Sequence, residues 1–261
     1  MKVIHEPTIY VVGRQMIDQS VVTQFLADHE TAWVTDSEVG AELLAEVAGR
    51  ICYMSFGTAQ GRKTNRDYLD NIIESGDGSV IEHAVWDFII TGVSRSFTHE
   101  LIRHRAGFGY SQLSQRYVDE STADFVEPDI IAEDPDLHAI WQEAVEASHR
   151  AYIALVERLT DKVNTHFRDL PRTDRRKMAR QAARSVLPNA TETKIFVSAN
   201  ARALRHFIEL RGAPYADPEI RSVAVKMLDI MQREAPNIFH DFETYDLPDG
   251  TVGTRTPHHK V

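Results

Sequence analysis

The sequence predicts a single α+β domain, mostly helical, over residues 1–249, followed by a polar, flexible tail at 250–261. Three observations support this. One long stretch and several short ones repeat apolar residues at helical spacing. Only short segments read as strands. No internal repeat and no clear linker interrupts the 261 residues, a length that allows a sizeable core.

The elements follow in order. Thr8 to Val12 reads as a short strand. Leu43, Leu44, Val47, Ala48 and Ile51 set a helix over about Val39 to Tyr53. Ser55 to Asn65 is polar, carries Gly57 and Gly61, and reads as a loop. Tyr68, Leu69, Ile72 and Ile73 mark a helix from about Asn65 that Gly76 caps. Val85 to Val93 is β-like, and Ser94 to Arg103 turns back into helix. Gly107 and Gly109 predict a loop through Ala106–Tyr110, and Pro128 and Pro135 bracket another. From Asp136 a long helix carries an apolar stripe that includes Leu137, Ile140, Trp141, Val145, Tyr152 and Val163. Further helices are expected over Asp174–Ser185, ending near Pro188, and over Asn200–Leu210. A last one starts at Asp217-Pro218, a capping pair, and stops before Pro236.

Composition narrows the function. Apolar residues make up 43% and charged residues 26%, which excludes a disordered or low-complexity chain. One cysteine, Cys52, excludes an internal disulfide and a cysteine-rich zinc site. A lone thiol suits a reducing, cytoplasmic setting. The longest apolar stretch, Phe88 to Val93, is far below the roughly 20 residues of a spanning helix, and no signal peptide is expected. The net charge is −10, yet it is unevenly spread. Arg95 to Arg116 carries a net +3 and Arg172 to Arg211 a net +7, leaving −20 on the rest. Two basic segments in an acidic protein suit a small anion. A long polyanion would be repelled by the remainder, so nucleic acid is not an expected partner. The competing reading is that both segments are solvated helix faces.

The densest chemistry lies at Glu100-Leu101-Ile102-Arg103-His104-Arg105 and Ser111-Gln112-Leu113-Ser114-Gln115-Arg116-Tyr117. Arginine forks grip phosphate bidentately, glycine lets the backbone approach a ligand, and the hydroxyls and amides can read a base or sugar edge. In the second segment Leu204, Phe207, Ile208 and Arg211 fall on one helical stripe. Arg211 is therefore expected buried, where it needs an anionic or acceptor partner. Arg180 and Arg184 share a face. His99-Glu100 with His104 suggests zinc only weakly, because the histidines are five apart rather than four. A non-catalytic nucleic-acid binder is suggested by Arg172–Arg184, against which stands the lack of interleaved aromatics.

Arg103-His104-Arg105, then Ser114 and Arg116-Tyr117, resembles the signature of the flavin-dependent thymidylate synthases. The resemblance extends through Gly78-Ser79-Val80-Ile81-Glu82-His83, Ala183–Pro188, Asn200-Ala201-Arg202, His206 and Arg211, from about Ala48 to beyond Arg211. It implies helices around a small antiparallel sheet, and a homotetramer with FAD at subunit junctions. It implies reductive methylation of uracil C5 in dUMP, giving dTMP, with methylenetetrahydrofolate as carbon donor and NADPH as reductant. By motif match, Ser79, Arg103, His104, Arg105, Gln112, Asn200, Arg202 and His206 are the FAD contacts. Glu100, Arg103, Gln112, Leu113, Ser114, Gln115, Arg116, Arg184 and Arg211 are the nucleotide contacts. Arg211 is the catalytic residue beside the pyrimidine, where a fixed cation favours ionisation at N3. Cys52 is expected to be packed and inert, and Ser114 to bind rather than attack.

The sequence departs from the family pattern twice. Eight residues separate Arg105 from Ser114 where seven are usual, and Asp77 stands where a histidine is common. A reshaped substrate loop makes the ribonucleotide UMP the alternative substrate.

Overall fold

The structure, a computed structural model, describes residues 1–261. Its elements are β1 (Val3–Ile4), β2 (Thr8–Arg14), α1 (Gln19–Asp28), α2 (Gly40–Tyr53), α3 (Asn65–Glu74), β3 (Val85–Ser94), α4 (Arg95–Leu101), β4 (Phe108–Gln112) and β5 (Phe125–Val126). There follow α5 (Asp129–Ala132), α6 (Pro135–His166), α7 (Arg172–Ala183), β6 (Glu192–Asn200), α8 (Ala201–Arg211), α9 (Pro218–Glu234), α10 (Pro236–Phe239), β7 (Glu243–Asp246) and β8 (Val252–Arg255). The main sheet has the order β2-β3-β6-β4; β1 pairs β5, and β7 pairs β8. No helix is long and apolar enough to cross a membrane.

The chain divides into two compact units. The first comprises Met1–Thr8, Ile90–Leu101 and Ser111–Ile195. Its α6 starts at Asp134, whose carboxylate accepts from the amides of Asp136 and Leu137, a cap worth about 1 kcal/mol. α6 packs on α7. Of its apolar stripe, Val145, Tyr152 and Val163 are buried, while Leu137 and Ile140 are exposed. α6 runs 32 residues, and within this chain only part of its stripe is covered. Phe125, Ala123 and Val145, with Trp141 against them, form a small core.

The second unit comprises Ile9–Ile89, Ile102–Tyr110 and Phe196–Val261. Here α2, α3, α8, α9 and α10 bury Leu43, Leu69, Ile73, Phe207, Ile208, Val223, Leu228 and Phe239. A buried polar network ties the layer together. The Glu46 carboxylate accepts from Arg50 Nε at 2.7 Å, Asn65 Nδ2 at 2.8 Å and Trp33 Nε1 at 3.0 Å. Buried carboxylates survive in folds when each oxygen is satisfied this way.

Several expectations need correcting. The predicted loop over 106–110 is only a turn, closed by Phe108 N–H donating to Arg105 O at 3.2 Å, after which β4 begins. Phe108, Tyr110 and Gln112 alternate with exposed Gly109 and Ser111, so pairing outweighed the glycine signal. Strand β6 and helix α1 lie outside the sequence expectations, although Thr193, Ile195, Val197 and Ala199 of β6 alternate inward. The stretch between Pro128 and Pro135 holds the short helix α5. Cys52 is exposed rather than packed, because it lies off the buried side of α2.

Residues 250–261 are polar yet carry β8, which pairs Thr254 with Thr244. Thr254 donates to Ile208 O at 2.7 Å, and Val261 is buried.

Candidate functional site

The second unit brings both ends of the Arg-His-Arg stretch against α8. Gly107 adopts φ +74°, and a Cβ there would lie 2.7 Å from both Ala203 Cβ and Asn200 Oδ1. Only glycine meets both demands. Gly107 O accepts from Asn200 N–H at 3.1 Å, while the Asn200 side chain caps α8 through Ala203 N–H at 2.9 Å. Tyr110 on β4 donates to His104 O at 2.7 Å and stacks on Phe108 with ring centroids 5.6 Å apart. The turn is thus fixed from both sides.

These constraints open a cavity of about 350 Å³ lined by Arg103, His104, Arg105, Phe108, His206 and Arg211, among others. Arg211 Nε donates to His104 Nε2 at 2.9 Å. The His104 ring meets Phe207 at 5.3 Å and His206 at 5.9 Å. Burial, with Arg211 and then His206 adding repulsion, pushes the His104 pKa down to about 4. His104 is therefore neutral at physiological pH. Arg211 is half-buried rather than buried as expected, because the last turn of α8 forms the cavity wall. The other predicted contacts of this unit lie along α8 and the turn before β3. Arg202 pairs with Glu82 at 2.7 Å and packs on Gly78, where a Cβ would sit 2.7 Å from Arg202 Nε. Ser79, next in the chain, is exposed.

The first unit holds the remaining predicted residues. Gln112 Nε2 donates to Thr98 Oγ1 at 3.0 Å and Thr193 Oγ1 at 3.3 Å, and Leu113 N–H donates to Lys194 O at 2.9 Å. Ser114 starts a turn in which Tyr117 and Val118 amides donate to its carbonyl. Arg180, four residues before Arg184, binds Tyr117 O at 2.6 Å and Asp119 at 2.7 Å. Arg184 closes α7. Glu100 lies on α4 with His99, and His104 belongs to the other unit.

The sequence reading missed Arg95. Its Nη1 is buried without a hydrogen-bond partner, as are Gln115 Nε2, Arg116 Nε and Glu120 Oε1. Four of the eight such atoms in the protein fall in this short part of the chain. Burial lowers the Arg95 pKa, Glu120 opposing and Arg184 adding to it; burial raises that of Glu120. Both shifts lean toward neutrality, as burial dictates. Buried donors without partners carry a cost that an anionic ligand removes. Arg95 opens the basic segment that charge counting singled out, which is the signal that could have found it.

The cavity's guanidinium groups and aromatic walls suit a ligand that is both aromatic and phosphorylated. Fold and site together define an α+β protein built to hold nucleotide-like anions. A family model described as thymidylate synthase complementing protein matches residues 34–237. The flavin-dependent thymidylate synthase of Mycolicibacterium gilvum is 50% identical over 236 residues, covering 90% of this chain and 92% of its own. That of Mycobacterium bovis is 48% identical over 237 residues with the same coverage. The chain belongs to the family of flavin-dependent thymidylate synthases. A solved structure of the UMP/dUMP methylase PolB from Streptomyces cacaoi, bound with 5-Br dUMP, matches with a TM-score of 0.64 at 21% identity. It covers 92% of this chain and 96% of its own, a likeness of fold.

Proposed function

We propose that the protein methylates C5 of the uracil ring of dUMP to give dTMP, with FAD bound, methylenetetrahydrofolate as carbon donor and NADPH as reductant. The observation that carries this reading is the single cavity shared by Arg103, His104, Arg105, His206 and Arg211. These residue types in that arrangement suit the junction of a flavin and a nucleotide. When bound, the reduced flavin supplies the hydride. Residues of the chain bind, orient and polarise. Arg103, His104, Arg105, His206, Asn200, Arg202, Ser79 and Gln112 hold FAD. Glu100, Arg103, Gln112, Leu113, Ser114, Gln115, Arg116 and Arg184 hold the nucleotide. Arg211 stabilises negative charge that develops on the pyrimidine. To the phosphate contacts we add Arg95, whose buried Nη1 lacks a protein partner.

The working form is a homotetramer of cytoplasmic chains. Because β3, β4 and β6 each pass from one unit into the other, residues 1–249 are read as one catalytic domain.

The longer spacing from Arg105 to Ser114 favours UMP only if it reshapes the nucleotide contacts. Against that, the turn at 105–108 leaves Arg105, Ala106 and Gly107 exposed. Leu113 is meanwhile tied to β6 by its backbone. This supports dUMP as the preferred substrate. The test is turnover of dUMP and UMP by the FAD-loaded protein with both co-substrates. Thymidylate formation from dUMP, far above any product from UMP, is expected; turnover of UMP alone overturns the assignment. Arg95→Ala should raise the KM for dUMP about tenfold, the loss of one charge-assisted contact. An unchanged KM would remove Arg95 from the phosphate site.

A further inference from the structure

We infer that His104 is a positioning residue: its Nε2 acts as the fixed acceptor that sets the plane of the Arg211 guanidinium in the cavity. This rests on the proposed function for its consequence in turnover, and adds a role beyond the flavin contact that the motif assigns to His104.

The argument starts from the bond itself. Arg211 Nε lies 2.9 Å from His104 Nε2. A guanidinium has only donors, so Nε2 must be the acceptor, and the ring is neutral with its proton on Nδ1. Neutrality is enforced by the surroundings. Phe108 and Phe207 flank the ring. Arg211 and His206 face it from α8, and Arg103 and Arg105 adjoin it in its own segment of the cavity wall. A second cation here would be both desolvated and repelled. The ring is itself held, because Tyr110 ties down the His104 carbonyl at 2.7 Å and the residue is 7% exposed.

The consequence concerns Arg211. Its guanidinium is planar, so fixing Nε fixes the direction in which both terminal amines project. Arg211 is the last residue of α8, and the His104 bond adds a buried, fixed acceptor to its restraints. An electrostatic contact works in a transition state only if it is oriented beforehand.

Two arms test this. In the first, ¹⁵N-histidine NMR of the FAD-loaded protein reads the ring directly, with the His104 signals assigned by their loss in His104→Gln. The expected result at pH 7 is a neutral ring protonated at Nδ1, with an Nε2 resonance that moves in Arg211→Ala. An imidazolium, an Nε2–H tautomer, or an Nε2 signal indifferent to Arg211→Ala overturns the inference. In the second arm, His104→Phe, which cannot accept, should lower kcat about 100-fold. With FAD at saturating concentration, it should shift the KM for dUMP less than threefold. His104→Gln, whose carbonyl can reach the Nε2 position, should recover at least tenfold of that loss. Combined with Arg211→Ala, His104→Phe should add nothing further. Equal losses in the Phe and Gln variants, or multiplicative losses in the double variant, overturn the inference. A wild-type protein that converts no dUMP refutes the proposed function, and the NMR arm then decides the inference alone.

Discussion

Arg205 and Arg211 sit six residues apart on α8, and their surroundings put the same guanidinium to different uses. Arg205 is 1% exposed and grips Asp241 with both terminal amines, at 2.6 and 2.8 Å. It also donates to Ile238 O at 2.6 Å and lies 4.8 Å over the Phe242 ring. Through these bonds one side chain ties α8 to α10 and to the residues just after it. Hydrogen bonds from Arg205, with its charge, hold the Asp241 carboxyl below the usual carboxylate range despite burial. Arg211 lies at the half-buried end of the helix, and there Nε meets a neutral imidazole. The difference teaches that a buried arginine paired to a carboxylate has its charge cancelled inside the fold. One that lines a cavity and bonds an imidazole acceptor presents its guanidinium to whatever enters there.

The comparison can be broken most forcefully at Arg205. Arg205→Ala leaves Asp241 buried without its partner and should cost about 3–5 kcal/mol of stability, read by denaturant unfolding. A loss below 1 kcal/mol would show that the pair is not structural. Arg211→Ala should do the reverse. Stability should stay within about 1 kcal/mol of wild type, while kcat for dUMP methylation falls by about 10²–10³. A variant that unfolds but keeps its specific activity would place Arg211 with Arg205.

A smaller effect sharpens the account of what holds the cavity wall. Gly107→Ala forces a side chain into positive φ and against Ala203 and Asn200. It should destabilise by about 1–2 kcal/mol and weaken FAD binding measured by fluorescence titration. Wild-type stability would contradict the demand for glycine there.

The smallest effect is a pH slope. The pKa of His104 is lowered from 6.5 to about 4 in the folded protein, so between those values the unfolded chain binds more protons. Its contribution to stability is present above pH 6.5 and is lost as pH falls toward 4. Burial first, then Arg211 and His206, oppose protonation of this ring. His104→Phe should therefore show a shallower loss of stability between pH 6.5 and 4 than wild type. Parallel curves would mean that the ring titrates normally.

Much of the helical framework was legible. Helices α2, α3, α7, α8 and α9 follow from apolar spacing and from caps such as Asp217, whose side chain accepts from the Glu219 amide. Local interactions of this kind operate within a few residues. Strands β4 and β6 were hidden for the opposite reason. Gly107 and Gly109 read locally as a loop, and only pairing with a distant segment makes 108–112 a strand. The tail misled in the same way, since Thr254 becomes ordered by bonding to Ile208, 46 residues away.

The sequence by itself determined the charge asymmetry, the run of helices and the motif residues that mark the family, because each is written in residue type and spacing. Only the tertiary structure decided which arginine is structural and which faces the cavity. Arg205 and Arg211 belong to one helix of similar local pattern. Their roles depend on Asp241 and His104, partners that the chain brings to α8 from 36 and 107 residues away. Electrostatics is set by such neighbours in space, and spacing along the chain does not encode them.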